Sequence, residues 1–221
     1  MKTKFWVLFL LAAAAACSGD DGVPDYSDLD PNRGLTGGIG APTVHRFDRG
    51  PADLEGWSSS SAAWTVDGGA VVGRNTHNQA LWRRERIAPA VRIEFEASAP
   101  SGGDIRFEVF GDGEHHESGY VLAYNAWGGA AHVLSRLDEH GEQRTVVPIT
   151  KPIDKGKTYR MAVVRSDASV RWFVDGSLLL EFVDEAPLTG PGHDRFGLNS
   201  WSSDVHFDNI RVFTLGDEVS R

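Results

Sequence analysis

Three glutamates and an arginine at alternating positions are the residues in this 221-residue chain best placed to do chemistry. Glu94 and Glu96 are two apart, so an extended strand puts them on one face. Their backbone positions are then ~6.7 Å apart, near the separation of carboxylate pairs that cleave glycosidic bonds. Arg106 and Glu108 repeat the spacing one segment later and are expected to join them from a neighbouring strand. With this geometry one carboxylic acid protonates a leaving oxygen while a second carboxylate activates water. The same spacing also serves a solvated polar face carrying cross-strand Glu and Arg pairs.

A second constellation suits binding. Tyr120, Tyr124, Asn125, Trp127, His132 and Arg136 fall on two adjacent predicted strands, a mixture fit for stacking on a sugar ring and bonding its hydroxyls. Alternation places Tyr120 and Tyr124 on one face, His132 and Arg136 on another shared face, and Trp127 near the strand end. Packing of half of these residues in the core is the competing expectation. His115 and His116 are adjacent, so on an extended chain they point apart and make a poor metal pair; an exposed loop suits them better. No phosphate loop, zinc signature or Gly-x-Ser-x-Gly elbow is present, and Ser58 to Ser61 read as a polar loop.

These residues need strands to position them, and the chain from 43 to 215 supplies the pattern. Ile93 and Phe95 oppose Arg92, Glu94 and Glu96; Ile105, Phe107 and Val109 oppose Arg106 and Glu108. Similar runs are predicted at 81–86, 120–125, 132–137, 144–149, 159–165, 170–174, 177–183, 195–201 and 205–213, with turn signals every eight to twelve residues. Asp175 and Gly176 predict a type I′ hairpin, because both tolerate positive φ; Asp167 and Ala168 give a weaker turn signal. More than ten short strands cannot lie in one open sheet without leaving a face bare, so an all-β, two-sheet antiparallel sandwich is expected. Six tryptophans lie in it, at 57, 64, 82, 127, 172 and 201, and Trp64 and Trp172 are expected inside.

Three pieces carry a family resemblance: Phe47 with Leu54-Glu55-Gly56-Trp57 and the run Trp64 to Gly73; Tyr159 to Arg165 with Val170 to Leu179; and Phe196 to Trp201 with Val205 to Phe213. Together they resemble the concanavalin A-like jelly-roll superfamily, especially its laminin-G-like and 3-keto-disaccharide-hydrolase-type members. The resemblance implies that the first and last strands pair, Val44 to Phe47 beside Val205 to Phe213, and that carbohydrate recognition or processing is the default activity. Fold alone does not fix function. The glycosidases of family sixteen, which share this fold, carry Glu-x-Asp-x-x-Glu, and the match fails at Ala99, where the last glutamate should stand. Oxygen-rich calcium sites in the superfamily make Asp208 a candidate ligand with backbone carbonyls near Phe47 and Asp48, although bonding to the first strand serves it as well. No cofactor is required on this reading, and Ca²⁺ is the one candidate.

The first residues speak to location. Lys2 and Lys4 precede an apolar run from Phe5 to Ala16, long enough for an export signal and short of the ~20 residues that span a bilayer. Ala14, Ala15, Ala16, Cys17 and Ser18 resemble the lipobox of bacterial lipoproteins, in which the cysteine is diacylated, although leucine is preferred where Ala14 stands. Four segments are expected: a signal peptide at 1–16, an acidic Gly/Pro-rich tether at 17–42, the sandwich at 43–215 and a polar tail at 216–221. Removing Lys2 and Lys4 from 22 basic residues leaves 20 against 31 acidic, a formal charge of −11. That charge opposes nucleic-acid binding, so attachment to a membrane is expected through acyl chains on Cys17. Cys17 is the only cysteine, which excludes an intramolecular disulfide.

Three functions follow as expectations: a lipid-anchored cell-envelope module that binds a glycan, a glycoside or 3-keto-disaccharide hydrolase using strand-borne carboxylates, and a structural envelope protein that contacts other proteins. The protein is expected outside the cytoplasm, on an outer membrane or facing the periplasm.

Overall fold

A computed structural model describes residues 41–151, 153–166 and 168–216. The expected signal peptide, Cys17, nearly all of the tether, Asp167 of the weaker turn and most of the tail lie outside the described residues.

Every run with period-two alternation is a strand. In chain order they are β1 (Thr43–His45), β2 (Trp57–Ser58), β3 (Trp64–Asp67), β4 (Ala70–Arg74), β5 (Leu81–Arg83), β6 (Val91–Ser98), β7 (Ile105–Gly111) and β8 (Tyr120–Asn125). There follow β9 (Ala131–Arg136), β10 (Arg144–Pro148), β11 (Tyr159–Ser166), β12 (Ser169–Val174), β13 (Ser177–Val183), β14 (Arg195–Asn199) and β15 (Asp204–Thr214). The described helical pieces are a 3₁₀ turn at Pro51–Leu54 and the short α1 at Ala126–Gly129. One antiparallel sheet runs β13-β12-β11-β6-β15-β4-β3, with β1 also on β15; the other runs β10-β9-β8-β7-β14-β5-β2. Thr43 to His45 pair with Val212 to Ile210, so the first strand lies on the last as the resemblance implied. Asp175 and Gly176 take φ values of 48° and 86°, the positive pair a type I′ hairpin needs.

The inner faces meet through large rings. Phe95 of β6 packs edge-on against Phe107 of β7 at 4.9 Å, and Phe107 meets Trp172 of β12 at 5.4 Å. Trp64 and Trp172 are both buried. This interior corrects one expectation. β6 and β7 are consecutive in sequence but belong to different sheets, because residues 99–104 cross the sandwich instead of turning a hairpin. With Ile93, Phe95 and Phe107 facing inward, Glu94 and Glu96 lie on the outside of one sheet and Arg106 and Glu108 on the outside of the other. The three carboxylates cannot share a reacting group.

Candidate functional site

The outer face of the second sheet carries an unusual load of buried charge. Arg106 and Glu108 of β7 are 4 % and 0 % exposed although they point away from the core. Burial of such groups is costly unless each is paired and hydrogen-bonded. Arg106 Nε bonds Asp104 and its Nη1 bonds Glu139, so one guanidinium is held between two carboxylates. Glu108 accepts from Asn199 Nδ2 of β14 at 2.8 Å and from the Glu117 amide at 3.0 Å, and its Oε1 lies 2.6 Å from His116 Nδ1.

Six segments bring these partners in, those after β4, β6, β7, β8, β9 and β14. Asp112 Oδ1 accepts from the Glu114 and His115 amides at 2.7 and 2.8 Å, an Asx turn that reverses the chain after β7. Glu117 then adopts φ 61°, and His116 folds back over Glu108. Between β8 and β9 the turn sets Asn125, Trp127, Gly128 and Gly129 all at positive φ, the Trp127 backbone at 54° and 48°. A tryptophan held there costs on the order of 1–3 kcal/mol, and such strain gathers at binding sites. After β9, the Glu139 amide donates to Glu117 Oε1 at 2.8 Å, and the His140 ring stacks on Trp127 at 5.6 Å. After β14, His77 meets Trp201 edge-on at 5.1 Å, and Thr76 Oγ1 donates to the Ser200 carbonyl at 2.7 Å. Gly103 has φ +104°, and a Cβ there would overlap Ser203 Oγ, so only glycine lets this loop close.

The result is an open cleft of about 580 Å³, within the range of small-ligand sites. Trp127 and Trp201 border it, and Trp201 remains 49 % exposed. Asp104, Arg106, Glu139 and Asn125 form a polar floor, with His116 and Glu117 beside them. Three buried polar atoms of lining residues have no hydrogen-bond partner: Asn78 Oδ1, Asn125 Oδ1 and Trp127 Nε1. Burial alone would lower the His116 pKa, but the bond to Glu108 and its charge, with Glu117 and Glu139 adding, hold it above the ordinary value. A cleft with aromatic borders and a buried polar floor can stack on a ring and bond its hydroxyls.

The residues expected from sequence fall in different places. Asn125, Trp127 and Arg106 line the cleft. Tyr120 does not: it is wholly buried, its hydroxyl donating to Asp184 Oδ2 at 2.7 Å and accepting from the Leu188 amide at 3.1 Å. Arg136 also holds Asp184, at 2.9 Å. Tyr124 and His132 stack on each other at 4.2 Å, with Tyr159 and Trp172 beside Tyr124. The register pairs Tyr120 with Arg136, so the two proposed faces are one, and it is the inner one. Replacing Tyr120 with phenylalanine should therefore lower stability by about 1–2 kcal/mol in urea unfolding, through the orphaned Leu188 amide. No loss would mean that this bond is not formed.

Glu94 is 0 % exposed and ion-paired with Arg92, whose Nε lies 2.9 Å away, and with Arg211, whose Nη1 lies 3.6 Å away, while Glu96 accepts from Asn209 Nδ2 at 2.9 Å. Enclosure leaves Glu94 no room for water or a sugar. Asp208 has a raised pKa, from burial first and then from the charges of Asp48 and Glu96. Among the described residues no group of three or more His, Cys, Asp or Glu side chains is placed to hold a metal ion. His116, Glu117, Glu139, Asp104 and Trp201 were missed as site residues. The one local signal for any of them was Asp112 ahead of the two histidines, which marks a turn able to send His116 back onto the sheet.

The sequence matches no protein-family model and no curated protein. Solved structures show the fold. A sialidase superposes with a TM-score of 0.57 at 13 % identity over 79 % of this chain, which spans only 18 % of that protein. The carbohydrate-binding module CBM66 from Bacillus subtilis gives 0.53 at 17 % identity, covering 73 % of this chain and 96 % of the module. An endo-beta-1,3-glucanase from Pyrococcus furiosus gives 0.57 at 10 % identity, covering 81 % and 95 %. The architecture shared with these structures is a two-sheet antiparallel jelly-roll sandwich.

Proposed function

We propose that this concanavalin A-like sandwich is a carbohydrate-binding module whose ligand enters the cleft between the loops of the second sheet. The observation that carries the reading is the joint presence of Trp127 and Trp201 at the border of a cleft whose floor is the buried Asp104–Arg106–Glu139 group. Aromatic faces supply apolar area to the C–H faces of a sugar, and fixed polar groups at the base choose among hydroxyl patterns. The sugar-related names of the superposed proteins support the same reading at the level of fold. The binding chemistry needs no metal. Diacylation of Cys17, with residues 17–42 as a spacer, would hold the module on the outer membrane or facing the periplasm; this part of the proposal rests on the sequence alone. A hydrolase built on Glu94, Glu96 and Glu108 is not favoured, since the sandwich separates them.

The test is a glycan panel probed with the full chain, followed by titration calorimetry with whichever sugar binds. Trp127→Ala and Trp201→Ala should each weaken binding about tenfold, on the order of 1.4 kcal/mol, without moving the melting temperature by more than a few degrees. Unchanged affinity in both variants would remove the cleft as the site. Release of free sugar from the panel would point to an enzyme instead.

A further inference from the structure

The hydrogen-bonding polarity of the cleft limits the class of sugar it accepts. Asn125 is 7 % exposed, and its Nδ2 donates to the Gly103 carbonyl at 2.6 Å, which fixes the amide orientation and leaves Oδ1 as an unpartnered acceptor. Asn78 Oδ1 is a second buried acceptor without a partner. The carboxylates of Asp104, Glu117 and Glu139 accept only. Donors are fewer, because Arg106 bonds both Asp104 and Glu139, and Trp127 Nε1 is the one unpartnered buried donor among the described lining residues. An acceptor-rich lining calls for ligand O–H groups. A carboxylate or sulfate brings acceptors alone and cannot satisfy it.

Charge points the same way. Three carboxylates line the cleft against one guanidinium, while His116 and Glu108 pair with each other. Asp104 and Glu139 share the single charge of Arg106, which leaves the cleft net negative, and Glu117 is the lining carboxylate that adds to this charge without an ion pair to Arg106. Glu117 Oε1 accepts from the Glu139 amide at 2.8 Å, a bond that a glutamine carbonyl can keep. Neutralising this side chain therefore removes charge without removing the contact.

We propose that the cleft selects uncharged, hydroxyl-rich sugars and rejects uronates, sialates and sulfated sugars, with Glu117 as the residue that enforces the choice. The inference rests on the carbohydrate-binding reading above. It is tested with the full chain by calorimetric titration of matched pairs: methyl glucoside and methyl glucuronide, methyl galactoside and methyl galacturonide, N-acetylglucosamine and its sulfate ester. In each pair that binds, the uncharged member should bind at least about tenfold tighter, since like charges at a desolvated contact repel strongly. Lower salt should widen that ratio. Glu117→Gln should bring the two members within about threefold, and Glu117→Asp, which keeps the charge, should preserve the gap. An acidic member that binds as tightly as its neutral partner overturns the inference and leaves the sugar site standing. A ratio unmoved by Glu117→Gln takes the role from Glu117 and overturns the proposal as stated. No binding by any member of these pairs or of the wider panel removes the carbohydrate reading and the inference together.

Discussion

Glu108→Ala should lower the melting temperature by about 10 °C and abolish sugar binding in the same variant. The carboxylate is wholly enclosed and is the shared acceptor for Asn199 Nδ2, the Glu117 amide and His116. Alanine leaves these donors without a partner in a place water reaches poorly, and removing one side of a buried pair costs about 3–5 kcal/mol. For a domain of this size each kcal/mol moves the melting temperature by about 2–4 °C. The effect on binding follows from position. His116 and Glu117 border the cleft and are held down by Glu108, so their loop is released with it. Asp67→Ala is the control: its pair with Arg74 is exposed on both sides, so its loss should cost less than about 1 kcal/mol. Circular-dichroism melts at pH 7 read both. A Glu108→Ala melt no lower than that of the control would mean that Glu108 does not organise the loop.

The sheet pattern was legible because burial on one face writes a period of two into the sequence. Ile93-x-Phe95 and Ile105-x-Phe107-x-Val109 could be assigned to inner faces without knowing what lay opposite. The Asp175-Gly176 hairpin was legible for a local reason, the positive φ that both positions take. Which sheet a strand joins is a non-local fact. Nothing within β6 or β7 says that residues 99–104 cross the sandwich, and so the Glu94, Glu96 and Glu108 grouping failed. Tyr120 and Arg136 failed for a related reason: antiparallel register puts directly opposed residues on one face, and the register was not readable. The cleft was the least legible part. Its walls come from segments after β4, β6, β7, β8, β9 and β14. Neighbouring strands are antiparallel, so the loops after β7 and β9 come from one end of the sheet and those after β8 and β14 from the other, and they meet over its outer face. Asn125, Trp127 and Arg106 were found because they lie on strands or next to one. His116, Glu117, Glu139 and Trp201 lie in the loops and left no periodic trace.

Acidification from pH 6.5 to pH 4 should cost the fold roughly 3 kcal/mol through His45 alone. This imidazole sits in β1, its Nε2 accepting from Arg83 Nε at 2.9 Å and its ring edge-on to Trp57 at 5.3 Å. Burial first, and then the Arg83 charge, lower its pKa to about 4, with Glu85 opposing weakly. In the unfolded chain it takes up its proton near 6.5. Between those values the unfolded state binds more protons than the folded one, so stability rises with pH across the window. The contribution is fully present above about pH 6.5 and is lost as the pH falls to about 4, at roughly 1.4 kcal/mol for each unit of pKa difference. A protonated His45 would also lose its role as acceptor and face a guanidinium that is only 1 % exposed. His45→Gln keeps an acceptor for Arg83 and cannot be charged. The difference in unfolding free energy between wild type and this variant, from urea titrations at pH 7 and pH 4, should therefore shift by roughly 3 kcal/mol against the wild type. His116 works in the opposite sense, its raised pKa giving stability below neutrality that is lost as the pH rises. Because His116 is present in both proteins, it cancels in the difference. A difference that stays constant with pH would show that His45 takes its proton in the folded state as readily as in the unfolded chain, and that β1 is not locked to the second sheet through Arg83.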